Sequence, residues 1–302
     1  MATLTSSRPA ARPARRSAGL TPVRERAQRP SFWPTAILLL GALYCLFPVL
    51  WVLIASTKSA GELFSTFTLA PSTHLWDNIT ELSAYRDGVF WRWMANTALY
   101  AGVGGLLSVV VSAMAGYGLA KFRFAGKSAI FNIILAGVLV PGVVLAIPQY
   151  LLLAQVGLTN TYWSVLLPSI ISPYGIYLAR IYAAASVPDD VLEAARTDGA
   201  REWRVFTSIS MPMMVPGLVT VFLFQFVAIW NNFMLPYIML GDDRLFPLTV
   251  GLSGLLNQGA SQPAMYTSVI TGALLSILPL AALFLTLQRY WQVDLAAGAV
   301  KA

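Results

Sequence analysis

Six apolar stretches, each long enough to cross a bilayer, govern what this chain can fold into. They run roughly over residues 33–55, 95–119, 129–153, 163–182, 213–235 and 265–287. About 20 predominantly apolar residues suffice for a helix to cross the hydrocarbon of a bilayer. None of the six contains an acid or a lysine, and Arg180 stands at the end of the fourth. Across the chain 11% of residues are charged and 57% hydrophobic, whereas about a quarter of an ordinary soluble domain is charged. The expected fold is all-α, a polytopic membrane protein with six transmembrane helices.

The basic residues orient those helices. With the N-terminus inside, one side receives Arg8, Arg12, Arg15, Arg16, Arg24, Arg26 and Arg29 from the tail, then Lys121, Arg123 and Lys127 from the next loop. Arg180, Arg196, Arg201 and Arg204 follow in the second loop of that side, with Arg289 and Lys301 after the last span. Only Lys58, Arg86, Arg92 and Arg244 fall on the other side. Basic loops stay in the cytoplasm, so both termini are expected there, in a bacterial-type plasma membrane. The net charge of +7 thus reflects topology and implies no nucleic-acid partner.

Along the chain the expected parts are a disordered basic tail over 1–30, a first transmembrane helix over 31–56 and an extracytoplasmic loop over 57–90. A five-helix core over 91–289 and a cytoplasmic tail over 290–302 complete it. Residues 1–30 are rich in Arg, Ala, Pro and Ser and have no apolar period, the composition of a segment that cannot bury a core. The first apolar run is too long for a signal-peptide core and reads as a retained anchor. Trp76, Trp91, Trp93 and Tyr85 suit a membrane–water interface. In the second span Gly104, Ser108, Ser112, Gly116 and Ala120 recur every fourth residue, which lines one helix face with small groups and predicts close helix packing.

Much chemistry is missing. One cysteine, Cys45, and one histidine, His74, provide neither a disulfide nor a metal site, and no cofactor is expected. No Asp, Glu, Lys or His lies within a span, where ion-coupled carriers commonly place their relays. Gly126-Lys127-Ser128 imitates the end of a phosphate-binding loop, but Lys121 stands where the first glycine is required. No Ser/His/Asp set or carboxylate pair suggests an enzyme. A chain of this kind needs an energy-supplying partner.

The densest charged segment lies between the fourth and fifth spans. Pro188 suits a helix start, Asp189 and Asp190 favour the positive end of a helix dipole, and Gly199 supplies a left-handed stop. Two short helices with a bend between them are predicted. The small Ala194 and Ala195 leave a face that another surface can approach.

This segment resembles the EAA loop of binding-protein-dependent ABC importers. Glu193, Ala194 and Ala195, then Gly199, Ile209 and Pro212, stand at the family's spacings, with Asp198, Phe206 and Pro216 as in its sugar-importing branch. The chain also resembles that branch in Trp230-Asn231-Asn232-Phe233, where Asn232 replaces a glutamate, and in Gln288-Arg289-Tyr290 with Gly298-Ala299-Val300-Lys301. The resemblance implies a type I importer permease fold and a cytoplasmic coupling loop over 183–212 that docks on an ATPase. In that role Glu193 makes polar contact, Ala194 and Ala195 permit close approach, and Gly199 sets the bend beside Asp198. The implied partners are a second permease, an ATPase dimer and an extracytoplasmic solute-binding protein.

The neutral polar groups Asn132, Gln149, Gln225, Asn231 and Asn232, with Trp230, are the candidates for a translocation path. Amides and aromatic faces suit a hydroxyl-rich neutral solute, and the branch signatures imply a sugar. A permease for another polar solute, a channel, a secondary carrier and an intramembrane enzyme are the competing readings.

Overall fold

The computed structural model describes residues 32–67 and 69–290. The basic tail and the Gly298–Lys301 pattern lie outside the described residues. The chain divides into two units at Pro48, within its first helix. That helix, α1 (Phe32–Ala55), has 24 residues and is long and apolar enough to cross a bilayer. Up to Phe47 almost every side chain is exposed, as suits a helix facing lipid.

In the second unit, the segment read as an extracytoplasmic loop carries two short helices, α2 (Ala60–Ser65) and α3 (Leu75–Ala84). Ser59 starts α2 with a reciprocal cap: its hydroxyl accepts from the Glu62 amide while the Glu62 carboxylate accepts from the Ser59 amide.

The longest helix, α4 (Val89–Lys121), has 33 residues and so extends about 50 Å at 1.5 Å per residue. After it come α5 (Lys127–Leu139), α6 (Gly142–Gln155), α7 (Tyr162–Ile170) and α8 (Pro173–Ser186), of which α7 and α8 pack against it. Next come α9 (Asp189–Thr197) and a continuous helical run over Glu202–Trp230. That run comprises α10 (Glu202–Val205), a π turn (Phe206–Ser210) and α11 (Met211–Trp230). The short α12 (Met234–Met239), α13 (Leu248–Gln258) and α14 (Ala264–Leu287) complete the unit.

The stripe of small residues on α4 does what its spacing predicts. A β-carbon on Gly116 would lie 2.6 Å from the Arg180 backbone nitrogen and 2.7 Å from the Ala179 carbonyl carbon, so α4 and α8 touch backbone to backbone. Gly104 and Gly105 similarly admit Ile229 and Phe222 of α11. Two apolar cores flank the stripe. One gathers Phe90, Trp93 and Tyr100 with Trp230, Leu235 and Leu248; the other gathers Ala113 and Tyr117 with Ala179, Leu192, Phe206 and Met214.

The first turns of α4 hold the segment between α12 and α13. Trp93 donates its ring N–H to the Asp243 carbonyl (2.9 Å), and the Asn96 amide donates to the carbonyls of Arg244 (2.8 Å) and Phe246 (3.0 Å). Tyr100 donates to the Leu245 carbonyl (2.9 Å), and the Leu248 amide donates to the Thr97 hydroxyl (2.7 Å). Trp93 is therefore not an interfacial anchor. Its ring fills the space beside Gly251, where a β-carbon would meet it at 2.2 Å. Trp76 and Trp91 are exposed.

Three spans differ from their sequence reading. The third, expected as one helix over 129–153, is α5 and α6 bent by 106°. Pro141 follows Val140, whose extended backbone the proline favours. The pair nonetheless crosses the bundle. Its start adjoins the end of α4, where Lys127 donates to the Phe122 carbonyl (3.0 Å) and Lys121 pairs with Asp189 (2.8 Å). Past its far end, the Asn160 amide donates to the Met239 carbonyl (2.8 Å), and the Asn160 side-chain oxygen accepts from Gly241 (2.8 Å) and Asp242 (2.9 Å). The fourth span is interrupted between Ile170 and Pro173, where the Ser172 hydroxyl caps α8 by accepting from Gly175. The fifth begins at Glu202 instead of 213 and ends at Trp230 instead of 235. Its charged first turns escape a hydropathy reading, although the backbone is already helical there. The second short helix expected in the loop is thus the start of this long one.

Since Gly116 abuts backbone that cannot yield, Gly116→Ala is expected to cost about 1–3 kcal/mol, read as a lowered unfolding temperature of the purified protein. Gly118→Ala, which enters open space, leaves that temperature unchanged.

Candidate coupling loop and translocation cavity

The loop after α8 folds as local chemistry dictates. Pro188 precedes α9 in an extended conformation, and Asp189 and Asp190 occupy the first turn. The Lys121 ammonium, hydrogen-bonded to Asp189, holds that carboxyl below its ordinary range. The helix ends at Gly199, φ +81°. There the Gly199 amide donates to the Arg196 carbonyl and the Ala200 amide to the Ala195 carbonyl, both at 3.0 Å. That pair of bonds is the Schellman stop.

Beyond the stop, the Arg196 guanidinium donates to both Glu202 oxygens (2.7 and 3.3 Å), tying α9 to α10. Within the run from Glu202, the Met211 amide donates to the Phe206 carbonyl, five residues back. Pro212 lacks an N–H and would crowd the Ser208 carbonyl in a regular helix. A π turn at 206–210 widens the backbone where that crowding would fall.

The loop has an inner and an outer face. Leu192 and Ala195 are buried in the core with Tyr117, Val205 and Phe206, and Ile209 packs at its edge. Glu193, Ala194, Asp198, Gly199 and Pro212 are exposed. The two alanines, read together as one approachable face, therefore part company: only Ala194 is available to an outside surface. The Glu193 carboxylate forms no ion pair with a described residue. Trp203 stands 64% exposed beside this face, a residue the sequence reading did not single out; its signal was a large aromatic in a charged segment.

A cavity of about 630 Å³ lies where helices break. Gly137, Val140 and Gly142 line it from the α5–α6 bend, and Ile171 and Pro173 from the α7–α8 interruption. Gln149, Gln225, Asn231 and Asn232 also line it, so four of the six candidate path residues come together. Asn132 and Trp230 do not line it: Asn132 is exposed elsewhere on α5, and Trp230 is buried, stacked on Phe226.

Three of the four amides have structural work. Pro173 cannot donate to the Ser169 carbonyl, and the Gln225 side chain does so instead at 2.9 Å. The Asn232 side-chain oxygen accepts from the Leu235 amide at 3.4 Å, while its backbone carbonyl, freed by Pro236, accepts from the Thr249 hydroxyl at 2.8 Å. Asn231 donates to the Val227 carbonyl (2.9 Å), leaving its side-chain oxygen open. The Gln149 side chain, on α6, makes no hydrogen bond with a described residue. Among the described residues no charged one lines the cavity, and volumes of about 300–1,000 Å³ suit small-molecule ligands.

Residues 108–292 match the family described as binding-protein-dependent transport system inner membrane component. The chain belongs to that family. It is a membrane subunit of a transport system. The arabinooligosaccharides transport system permease protein AraQ of Bacillus subtilis (strain 168) is 34% identical over 268 residues, 87% of this chain and 93% of that one. The lactose transport system permease protein LacG of Rhizobium radiobacter is 32% identical over 281 residues, 91% of this chain and 98% of that one. Among solved structures, a bacterial ABC transporter involved in the import of the acidic polysaccharide alginate superposes with a TM-score of 0.74 at 23% identity. That match covers 89% of this chain and 99% of the other. At that identity the likeness speaks for the fold alone.

Gly199 has open space around it but a left-handed backbone. Gly199→Val, β-branched, is expected to cost about 1–3 kcal/mol and to abolish uptake in cells at matched membrane expression. Gly199→Asn, which tolerates that conformation, retains uptake.

Proposed function

We propose that this subunit serves an ATP-driven importer of a sugar or oligosaccharide and contributes half of the translocation path. The observation that carries the reading is a cavity lined by four neutral amides and no charge. Such groups both donate to and accept from hydroxyls. The named cargo of the two relatives, arabinooligosaccharides and lactose, supports the same class.

The partners in this reading are a second permease, an ATPase dimer and an extracytoplasmic solute-binding protein. Both termini and the Glu193 loop face the cytoplasm, as the distribution of basic residues favours. Residues 91–289 form the working core. ATPase closure is felt at Glu193 and Ala194 and transmitted through Leu192 and Ala195 to α4, α8 and α11.

The faces of α9 separate docking from folding. Ala194→Leu is expected to leave the subunit inserted and stable while weakening ATPase retention on co-purification. Ala195→Leu overpacks the inner core, at about 1–3 kcal/mol, and lowers the yield of folded subunit itself. Equal ATPase retention by Ala194→Leu at full expression would remove α9 from the docking surface.

The transport reading is tested in proteoliposomes holding the complete complex and the saccharide that its binding protein retains. Uptake should follow ATP hydrolysis, vanish when the ATPase catalytic glutamate is replaced and survive an ionophore. Gln149→Leu or Asn231→Leu should raise the half-saturating concentration about two- to tenfold, the weight of one hydrogen bond. Uptake that collapses with the proton gradient while ATP is plentiful would overturn the assignment.

A further inference from the structure

Toward the end of the bundle that carries the Glu193 loop lies a second cavity, of about 630 Å³, between the start of α5 and the middle of α8. Phe124, Lys127, Ser128, Phe131 and Arg180 line it, and no acid among the described residues does. The acids that form ion pairs at this end are engaged with other bases: Asp189 takes Lys121 and Glu202 takes Arg196. Neither Lys127 nor Arg180 forms an ion pair with a described residue.

Both cations are nevertheless held in place. The Arg180 guanidinium carbon lies 3.7 Å over the Phe131 ring centroid. Stacking fixes the plane of that fork and leaves its N–H edges to meet a planar or tetrahedral oxyanion. The Lys127 ammonium donates to the carbonyls of Phe122 (3.0 Å) and Ala120 (3.3 Å), which leaves one of its three N–H groups. Lys127 also belongs to the Gly126-Lys127-Ser128 imitation of a phosphate loop, which the transport reading does not use. The surroundings are apolar. Phe124 is 45% exposed at the cavity, and farther along α5 Ile133 is 71% exposed. A charged end running into a bare apolar helix flank is complementary to an amphiphile.

We propose that this cavity binds the phosphodiester headgroup of an anionic phospholipid, with Arg180 and Lys127 on the phosphate and the acyl chains along α5. Basic pockets between membrane helices recognise such headgroups through charge and hydrogen bonds together. The Ser128 hydroxyl provides a further donor. This site is independent of the transported solute.

Native mass spectrometry of the complete complex tests it, after delipidation in detergent and addition of equimolar phosphatidylglycerol and phosphatidylcholine. The wild type should retain phosphatidylglycerol selectively. Arg180→Gln and Lys127→Gln should each lower that retention about fivefold, the weight of one basic contact, and leave phosphatidylcholine unchanged. Arg180→Lys keeps the charge without the fork and should fall between; it carries the test if Arg180→Gln does not assemble. Arg201→Gln, an exposed base at the same end, should behave as wild type. Wild-type retention by the Arg180 and Lys127 variants, or an equal loss from Arg201→Gln, overturns the proposal. Displacement of phosphatidylglycerol by millimolar inorganic phosphate overturns it in favour of a soluble anion.

Discussion

Everything in the larger unit hangs on the contact of α4 with α8 at Gly116. In a bilayer no hydrophobic force draws helices together, so association depends on how closely backbones approach. Gly116 against Ala179 and Arg180 is such an approach, and Gly217 under the Tyr182 ring brings α11 to the same place. From this crossing one core extends to α9 and the coupling loop, and the other to the breaks that border the amide-lined cavity. The two functional regions thus share one mechanical joint.

The clasp at the far end of α4 has a different character. Trp93, Asn96, Thr97 and Tyr100 satisfy backbone groups of the 243–248 segment one by one. Directional bonds of this kind hold an irregular segment where neither helix nor sheet could satisfy it. Asn96 in turn accepts from Tyr162 (3.0 Å), which carries the clasp to α7.

The spans were legible in the sequence because their apolar length is a property of composition. Their breaks were not: Val140-Pro141 and Ser172-Pro173 are as apolar or small as their neighbours, and hydropathy does not register a bend. The start of the fifth span at Glu202 was hidden for the opposite reason, since charge masks a helix that leaves the bilayer. In the coupling loop the Gly199 stop was readable from one residue's backbone freedom. The inward turn of Ala195 was not, because it depends on where Tyr117 and Phe206 arrive. Gln149, Gln225, Asn231 and Asn232 were readable by chemistry. Asn132 and Trp230 share that chemistry but point away from the cavity, a matter of helix phase that only tertiary packing sets.

The π turn at Phe206–Ser210 gives this helix one residue more than a regular spiral would hold. Each residue of an α-helix advances about 100° around the axis. The surplus therefore sets the angular phase between Glu202 and Trp203 at one end and Gln225 at the other. A one-residue deletion in 206–210 would restore a regular helix, yet swing one end by more than a quarter turn against the other. Relatives that keep the same residues at both ends but differ in length across this turn would present one of the two faces to a different neighbour.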